Sequence, residues 1–432
     1  MKNAKLVGLS LLLSTQVMSV TDVHKAKAVN MFEKITGGYP VMFNPDGTSA
    51  AYDANGVPIG DLAIINQVAA EIEVSDYLGA AQILVEHPQF YVTNLRSWFK
   101  GWVNRDFLST VPFNDSVALM MGLVRDNRPF NEVLSTDKYY VINKNMAGFT
   151  SVADYSPRNN NMFAQAENLQ NLNSLHLALQ ESTQISTVFA PQPIFNNNNT
   201  PPTLARTHNA AGTVNPDIDV AGLITTRNFG ENFMQDGINR RVFRYLAINF
   251  LCKDLEDLSD VTRSDAFVGR DVERIVGGDP AIYSQTCRGC HAGQDALRGA
   301  FAKLDYNNGD GGLIIKNPNN AISQKYARNT FYFPQGYVTD SDSWTNLWSA
   351  GKNSTLGWSG PNTGVGPKSL GAYLANSNQF SVCMAKRVFE RFCNMSTSTD
   401  GAIQIISEES DNFRKDGYKF KNLVSKVASR CL

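Results

Sequence analysis

The segment Cys287-Arg288-Gly289-Cys290-His291 constrains this chain more than any other stretch of its sequence. Residues three positions apart lie on the same side of a helical turn, so the spacing predicts a helix that carries both thiols on one face. A histidine directly after the second cysteine completes the attachment signature of c-type haem. In that arrangement Cys287 and Cys290 are covalent tethers, and His291 is the proximal ligand of the iron. The sequence therefore predicts one covalently bound haem c.

Other sites also use two cysteines at this spacing, and each makes a different demand on the rest of the chain. A zinc site needs a second ligand pair at metal-binding spacing, and none of the remaining cysteines and histidines forms one. A thioredoxin-type pair follows a strand in a βαβ pattern and does not require the histidine. Haem attachment uses all three residues of the motif. An ordinary disulfide between Cys287 and Cys290 stays open as the alternative.

Residues 1–19 have the pattern of a secretory signal peptide. The basic residues Lys2 and Lys5 precede the apolar stretch 6–13, and small residues suited to cleavage follow it. This stretch is too short to span a bilayer, and the first cysteine of the chain is Cys252, which argues against a lipid anchor. No later run approaches spanning length, so we expect no transmembrane segment after signal removal. We expect export to the periplasm, the cell surface or the medium of a bacterium, where c-type haem is attached.

Four cysteines lie outside the motif, namely Cys252, Cys383, Cys393 and Cys431. An even number in an exported chain predicts two disulfides. A helix is predicted over 379–394, which separates Cys383 from Cys393 by about 15 Å along its axis. A disulfide tolerates a Cα separation of up to about 7 Å, so these two cannot pair with each other. Cys252 is therefore expected to pair with one of them and Cys431 with the other, in an order that the sequence leaves open.

Apolar residues recur at helical spacing through most of the 432 residues, which predicts a mainly α, multi-domain fold with a c-type cytochrome-like haem segment and long irregular loops. The predicted regions are the signal peptide 1–19, an N-terminal helical domain 20–145, a loop-rich helical region 146–270, a haem domain with a loop and short-strand insertion 271–365, and a C-terminal helical domain 366–432. The formal net charge of −1 provides no basic surface for nucleic acid, so nucleic acid is not an expected partner.

The helix pattern is clear enough to place individual segments. Asp279 suits an N-cap and Pro280 a first helical position, so the haem-bearing helix should begin there. After His291, helical spacing of apolar residues continues to Leu304. The other predicted helices span 61–72, 77–85, 92–103, 117–124, 128–134, 164–179, 239–252, 368–375, 379–394, 403–413 and 420–429.

The segment 287–305, CRGCHAGQDALRGAFAKLD, resembles the haem segment of the planctomycete-type cytochrome c-like proteins. Asp295 and Asp305 fall on the two aspartates of that family's pattern. Ala296 stands where the family has proline, so the turn after His291 is expected to be more helical here. Weaker likenesses follow in the same order, so the resemblance covers about 100–430 in outline. It implies an exported multi-domain haem protein with a helical C-terminal domain, from a largely uncharacterised group.

The distal ligand of the iron is not fixed by the motif. Downstream of His291 the methionines are Met384 and Met395, and either would suit electron transfer by raising the potential. His208 is an upstream candidate, since it precedes the segment expected to pack on the haem helix. Each of the three also suits an ordinary core or surface role. A water-bound or open iron is the remaining alternative.

Taken together, these features favour an electron carrier over a substrate-converting enzyme. One covalent haem, export and the lack of a motif for a second cofactor suit single-electron transfer to an unidentified redox partner protein. The alternatives are a haem-dependent oxidoreductase of the peroxidase or oxygenase type, and a secreted scaffold protein in which the haem is structural. A single CxxCH motif counts against the di-haem peroxidase type.

Overall fold

A computed structural model describes residues 21–42, 52–53, 56–150, 161–169, 172–183, 220–235, 237–307, 313–316, 322–327 and 332–431. The predicted signal segment 1–19 and the candidate ligand His208 lie outside the described residues.

Helices dominate the described residues, which confirms the predicted mainly α fold. The α-helices are α1 (Asp22–Thr36), α2 (Gly60–Glu73), α3 (Tyr77–Leu84), α4 (Arg96–Trp102), α5 (Asp115–Arg125), α6 (Lys144–Ala147), α7 (Asn161–Leu169), α8 (Arg227–Phe233), α9 (Arg240–Leu246), α10 (Leu255–Leu258), α11 (Pro280–Ile282), α12 (Arg288–Leu297), α13 (Gly366–Ala375), α14 (Asn378–Cys393), α15 (Asp400–Lys415) and α16 (Phe420–Ser429).

Short two-stranded antiparallel sheets make up the strand content of the described residues. The paired strands are β1 (Lys138–Ile142) with β2 (Leu179–Thr183), β3 (Leu304–Asn307) with β4 (Leu313–Lys316), and β5 (Ser343–Thr345) with β6 (Thr363–Val365). The prediction of short strands within 271–365 is therefore confirmed.

Side-chain caps fix where several of the predicted helices begin. Asn114 accepts a hydrogen bond from the Val117 amide and starts α5, and Ser377 accepts one from the Phe380 amide and starts α14. Such caps satisfy amides that the first helical turn leaves without an intrahelical partner. The helix predicted over 117–124 is confirmed.

π-helical turns join directly onto three of the helices. They span Phe90–Leu95 before α4, Ala247–Leu251 after α9, and Tyr283–Cys287 before α12. Each adds a residue to the turn and shifts the face that the following residues present. The helices predicted over 92–103 and 239–252 are confirmed, with a π turn inside each.

One hydrophobic core cluster takes in side chains from α1 through α16. Aromatic rings connect its two ends, since Phe130 lies 4.5 Å from Phe420 between ring centroids. Trp98 and Trp102, four residues apart, also pack against each other, at 5.0 Å between ring centroids. The core thus contains residues from every predicted region after the signal segment. The boundaries of these regions stay predictions.

The disulfides connect Cys252 with Cys383 and Cys393 with Cys431, each with a Cα separation of 5.2 Å. The expectation that Cys383 and Cys393 do not pair is confirmed, and the order left open by the sequence is resolved. The first bond ties the end of the Ala247–Leu251 turn to α14, and the second ties α14 to the segment after α16.

Three predicted helices differ in detail. The helix predicted over 164–179 is divided into α7 and a 3₁₀ segment, Leu172–Ala178. The short helix predicted over 128–134 is a 3₁₀ turn that Pro129 precedes rather than enters.

The third difference follows the haem motif, where the helical pattern was expected to continue through Leu304. A 3₁₀ turn, Arg298–Phe301, ends the helix, and Leu304 begins β3 instead. The turn residues Asn307-Asn308-Gly309 end a helix or connect a hairpin equally well, so the sequence did not distinguish the two. The side chains of Leu297, Phe301 and Leu304 are already buried in the main core.

Candidate haem-binding site

A helical segment without a break carries the CxxCH motif. Asp279 accepts a hydrogen bond from the Ala281 amide at 2.8 Å, and Pro280 occupies the first helical position. From there α11, the π turn Tyr283–Cys287, α12 and the following 3₁₀ turn succeed one another. The predicted helix start at Asp279 and Pro280 is confirmed, and the CxxCH motif lies well inside the helical segment.

This position bears on the alternative uses of a cysteine pair. In thioredoxin-type sites the helix N-terminus lowers the pKa of the attacking cysteine. Cys287 is instead the last residue of a π turn, so the amides next to it already belong to a helix. Cys287 and Cys290 are both free thiols in the structure. The arrangement therefore favours neither a thioredoxin-type pair nor a disulfide.

Two glycines allow neighbouring segments to pack closely against α12. The Gly289 carbonyl accepts a hydrogen bond from the Asp260 amide at 3.0 Å, and a Cβ at Gly289 would overlap the Ser259 hydroxyl. One turn later, a Cβ at Gly293 would overlap the Trp348 indole. These close approaches fix α12 in place, and the face that carries Cys287, Cys290 and His291 stays partly exposed.

Cys287 is half-buried on that face. It packs against a small cluster of Val268, Val272 and Tyr283 that is separate from the main core. These residues come from the segment before α11 and from the π turn. The Cys287 thiol therefore lies between this small apolar cluster and solvent.

Cys290 is half-buried as well, and its Sγ donates to the Leu255 carbonyl oxygen at 3.4 Å. Burial raises the pKa of the Cys290 thiol, and the carboxylate of Glu256 raises it further. The sulfur therefore stays a protonated thiol at neutral pH.

Exposed apolar side chains flank the two thiols. Ile282 is 41% exposed and precedes Cys287 by five residues, a spacing that a π turn brings to the same side. Val261 is 44% exposed, and its Cγ1 lies 3.2 Å from the position of a Cβ on Gly289. Apolar surface next to a tethering residue is what one face of a porphyrin would cover.

His291 presents its two ring nitrogens to different surroundings. Its side chain is 26% exposed, but Nδ1 is buried and lacks a hydrogen bond of ordinary geometry. The nearest acceptor is Asp295 Oδ1, at 3.5 Å. Within the described part of the chain, no hydrogen bond to Nε2 occurs. The imidazole can therefore offer Nε2 to an iron without breaking a protein contact.

Asp295 lies at the centre of a buried charged network. Arg240 donates from Nε to Oδ1 at 2.5 Å and from Nη2 to Oδ2 at 2.6 Å, and the Gly269 amide donates to Oδ2 at 3.0 Å. Arg298 Nη1 lies 3.6 Å from Oδ2. Burial alone would raise the pKa of the Asp295 carboxyl, but Arg298 and Arg240 hold it well below its usual range. The carboxyl is therefore ionised beside His291.

The sequence prediction identified Asp295 only through a family resemblance and gave it no role. A local signal was present, since an aspartate four residues after a helical histidine lies on the same face. The arginines were missed because Arg240 is distant along the chain, and only the packing of α9 on α12 brings it close.

The candidate distal ligands are not brought together with the motif in the same way. Met384 is completely buried on α14 within the main core, which supports a packing role. Met395 follows α14 and is 49% exposed. The third candidate, His208, lies outside the described residues. A distal ligand from any of the three stays a prediction.

The donor set at the motif fits a haem better than a bare metal ion. Among the described residues, no three His, Cys, Asp or Glu side chains are grouped to hold a metal. A structural zinc site takes four such ligands. A haem iron takes four nitrogens from its porphyrin and needs only His291, with one further ligand, from the protein.

A cleft of about 540 Å³ lies elsewhere, lined in part by Asn104, Asn114 and Asn228. The side-chain amides of these three residues already donate to the backbone carbonyls of Lys100, Pro112 and Val103 respectively. They therefore shape the cleft wall, and we assign no chemistry to it.

Comparisons of the chain with protein-family models, curated proteins and solved structures give no significant match. Within the described ranges, no helix combines the length and the apolar character that crossing a membrane requires.

Proposed function

We propose that this chain is an exported mono-haem c-type protein that passes single electrons to and from a partner protein. The observation that carries the proposal is the geometry of the motif. Two free, half-exposed thiols and a histidine share one face of a helix, with the histidine's Nδ1 turned inward. That arrangement combines the tethers and the ligand that covalent haem requires.

Each residue of the motif has a separate task in this proposal. Cys287 and Cys290 would hold the haem through thioether links, and His291 would ligate its iron. When bound, the haem supplies a reversible one-electron change between ferric and ferrous iron. Val261 and Ile282 would exclude water from its edge, and Gly289 lets the Val261 segment approach closely.

The exposure of the motif supports electron transfer rather than buried substrate chemistry. Both cysteines are half-exposed, so a group tethered to them lies at the protein surface. A redox partner could therefore approach without a conformational change.

Export and family membership belong to the same proposal. Two disulfides support an oxidising compartment, because such bonds are rare in the bacterial cytosol. The likeness of 287–305 to the planctomycete-type cytochrome c-like proteins supports the assignment from the sequence side.

The test compares the wild type with the double variant Cys287→Ala/Cys290→Ala, made in cells equipped to attach haem. The wild type should retain haem through denaturing electrophoresis, and the double variant should lose it. The double variant Cys393→Ser/Cys431→Ser is the matched control, since it removes two cysteines outside the motif and should keep its haem. A wild type without tethered haem, or a motif variant that retains it, would contradict the proposal.

A spectroscopic test separates electron transfer from enzymatic haem chemistry. A six-coordinate, low-spin spectrum that is inert to carbon monoxide and peroxide is expected for an electron carrier. A high-spin spectrum with rapid reaction toward peroxide would favour a haem-dependent oxidoreductase instead.

A further inference from the structure

The inward nitrogen of His291 faces a carboxylate rather than a backbone carbonyl. Nδ1 and Asp295 Oδ1 are 3.5 Å apart, one helical turn from each other on α12. A closure of about 0.5 Å would bring them to the ordinary hydrogen-bond distance. Because Nδ1 is buried and has no other hydrogen bond, this carboxylate is the partner within reach.

Building on the haem assignment above, we propose that Asp295 is the positioning residue of His291. Its carboxylate accepts a hydrogen bond from Nδ1–H, which fixes the tautomer whose Nε2 carries the lone pair. The carboxylate thereby sets the orientation of the imidazole ring, and Nε2 would be the nitrogen that ligates an iron.

Asp295 is well held for this task. Its side chain is fully buried, and Arg240 donates hydrogen bonds to both carboxylate oxygens. The Gly269 amide provides a third donor. A carboxylate with three fixed donors cannot rotate freely, so it imposes an orientation on the imidazole instead of following it.

The network also predicts an effect on the iron. A carboxylate acceptor makes the imidazole a stronger donor, which stabilises ferric over ferrous iron and lowers the reduction potential. Arg240 and Arg298 form ion pairs with the same carboxylate, so they limit how far it lowers the reduction potential.

The first test is the reduction potential of the haem-loaded Asp295→Asn variant, by equilibrium redox titration. We expect a shift to a more positive potential than that of the wild type. Asp271→Asn is the matched control, because Asp271 pairs with the same Arg240 but makes no contact with His291 in the described structure. The control should shift less. Equal shifts in both variants would show that only the general charge matters and would overturn the role of Asp295.

A second measurement needs neither a variant nor haem. In the full chain made without haem attachment, nitrogen NMR of labelled histidine should show the His291 proton on Nδ1, although free imidazole side chains prefer Nε2. A proton on Nε2 would overturn the inference even where Asp295→Asn fails to fold.

The two proposals fail in distinguishable ways. If the wild type never acquires tethered haem, the proposed function fails and this inference fails with it. If haem is attached but the His291 proton is on Nε2 and the reduction potential does not depend on Asp295, the positioning role alone is wrong.

Discussion

At the scale of single residues, Gly293 shows most directly how the helix of the CxxCH motif is fixed. Any side chain there would overlap the Trp348 indole, which is itself fully buried. We expect Gly293→Ala to lower the free energy of unfolding by about 1–3 kcal/mol, because overpacking forces neighbours to shift. Urea unfolding measures this loss.

Gly401 provides the control for that prediction. It lies in α15, and a Cβ there would meet nothing within 4 Å. Gly401→Ala should therefore leave stability unchanged or raise it by up to about 1 kcal/mol, because alanine restricts the unfolded chain. Equal losses in both variants would contradict the close packing at Gly293.

A buried histidine outside the haem site predicts a pH dependence of stability. His176 stacks on Tyr91 at 5.0 Å, and burial, helped by the charge of Arg125, lowers its pKa to about 4. Between this value and the ordinary 6.5, the unfolded chain binds a proton that the folded chain does not. This contribution to the free energy of unfolding should therefore fall as the pH drops from about 6.5 to about 4, by about 1–3 kcal/mol.

The check on this prediction is urea unfolding at pH 7 and near pH 4 for the wild type and His176→Phe. The variant should lose less stability between the two pH values, because phenylalanine has no proton to bind. An identical loss in both proteins would remove His176 as a cause.

How much of the site the sequence predicts depends on distance along the chain. The three motif residues and the Asp279 cap were identified because each depends on neighbours within a few positions. The pairing of Asp295 with Arg240 was not, because no local pattern connects α12 with α9. Charged groups that meet across a fold leave little periodic signal in the sequence.

At the scale of elements, the N-cap of α11 determines where the helical segment of the CxxCH motif begins. Replacing Asp279 with alanine removes the acceptor for the Ala281 amide. We expect a loss of about 1 kcal/mol in the free energy of unfolding, together with faster amide exchange in the first turn. Asp279→Asn retains a capping oxygen and should stay close to the wild type. A slower or unchanged exchange in the alanine variant would argue against the cap.

Element prediction failed where two structures share the same local signals. The stretch after Phe301 has helical spacing, but its turn residues also suit the hairpin of β3 and β4. Gly299 packs directly against the backbone of Ser343, which favours ending the helix there. Only a contact distant in sequence decides between the two.

At the scale of the whole molecule, the disulfides connect parts of one core. The Cys252–Cys383 bond spans 131 positions and the Cys393–Cys431 bond spans 38. In the chain-entropy view the longer loop stabilises the fold by about 1 kcal/mol more. The paired serine variant of the first bond should therefore be the less stable of the two by urea unfolding. The opposite order would show that native packing, not loop length, dominates.

The mainly α fold was predictable because helical spacing recurs through most of the chain. The continuity of the core was not, since rings such as Phe130 and Phe420 meet although they are far apart in sequence. The pairing of the disulfides needed the same long-range packing, after helix length had excluded one possibility.

The most direct test of the account is the intact mass of the denatured, mature protein made in cells that attach haem. We predict a polypeptide that carries the mass of one haem, and a red protein before denaturation. A colourless product with the mass of the bare polypeptide would contradict the account at its centre.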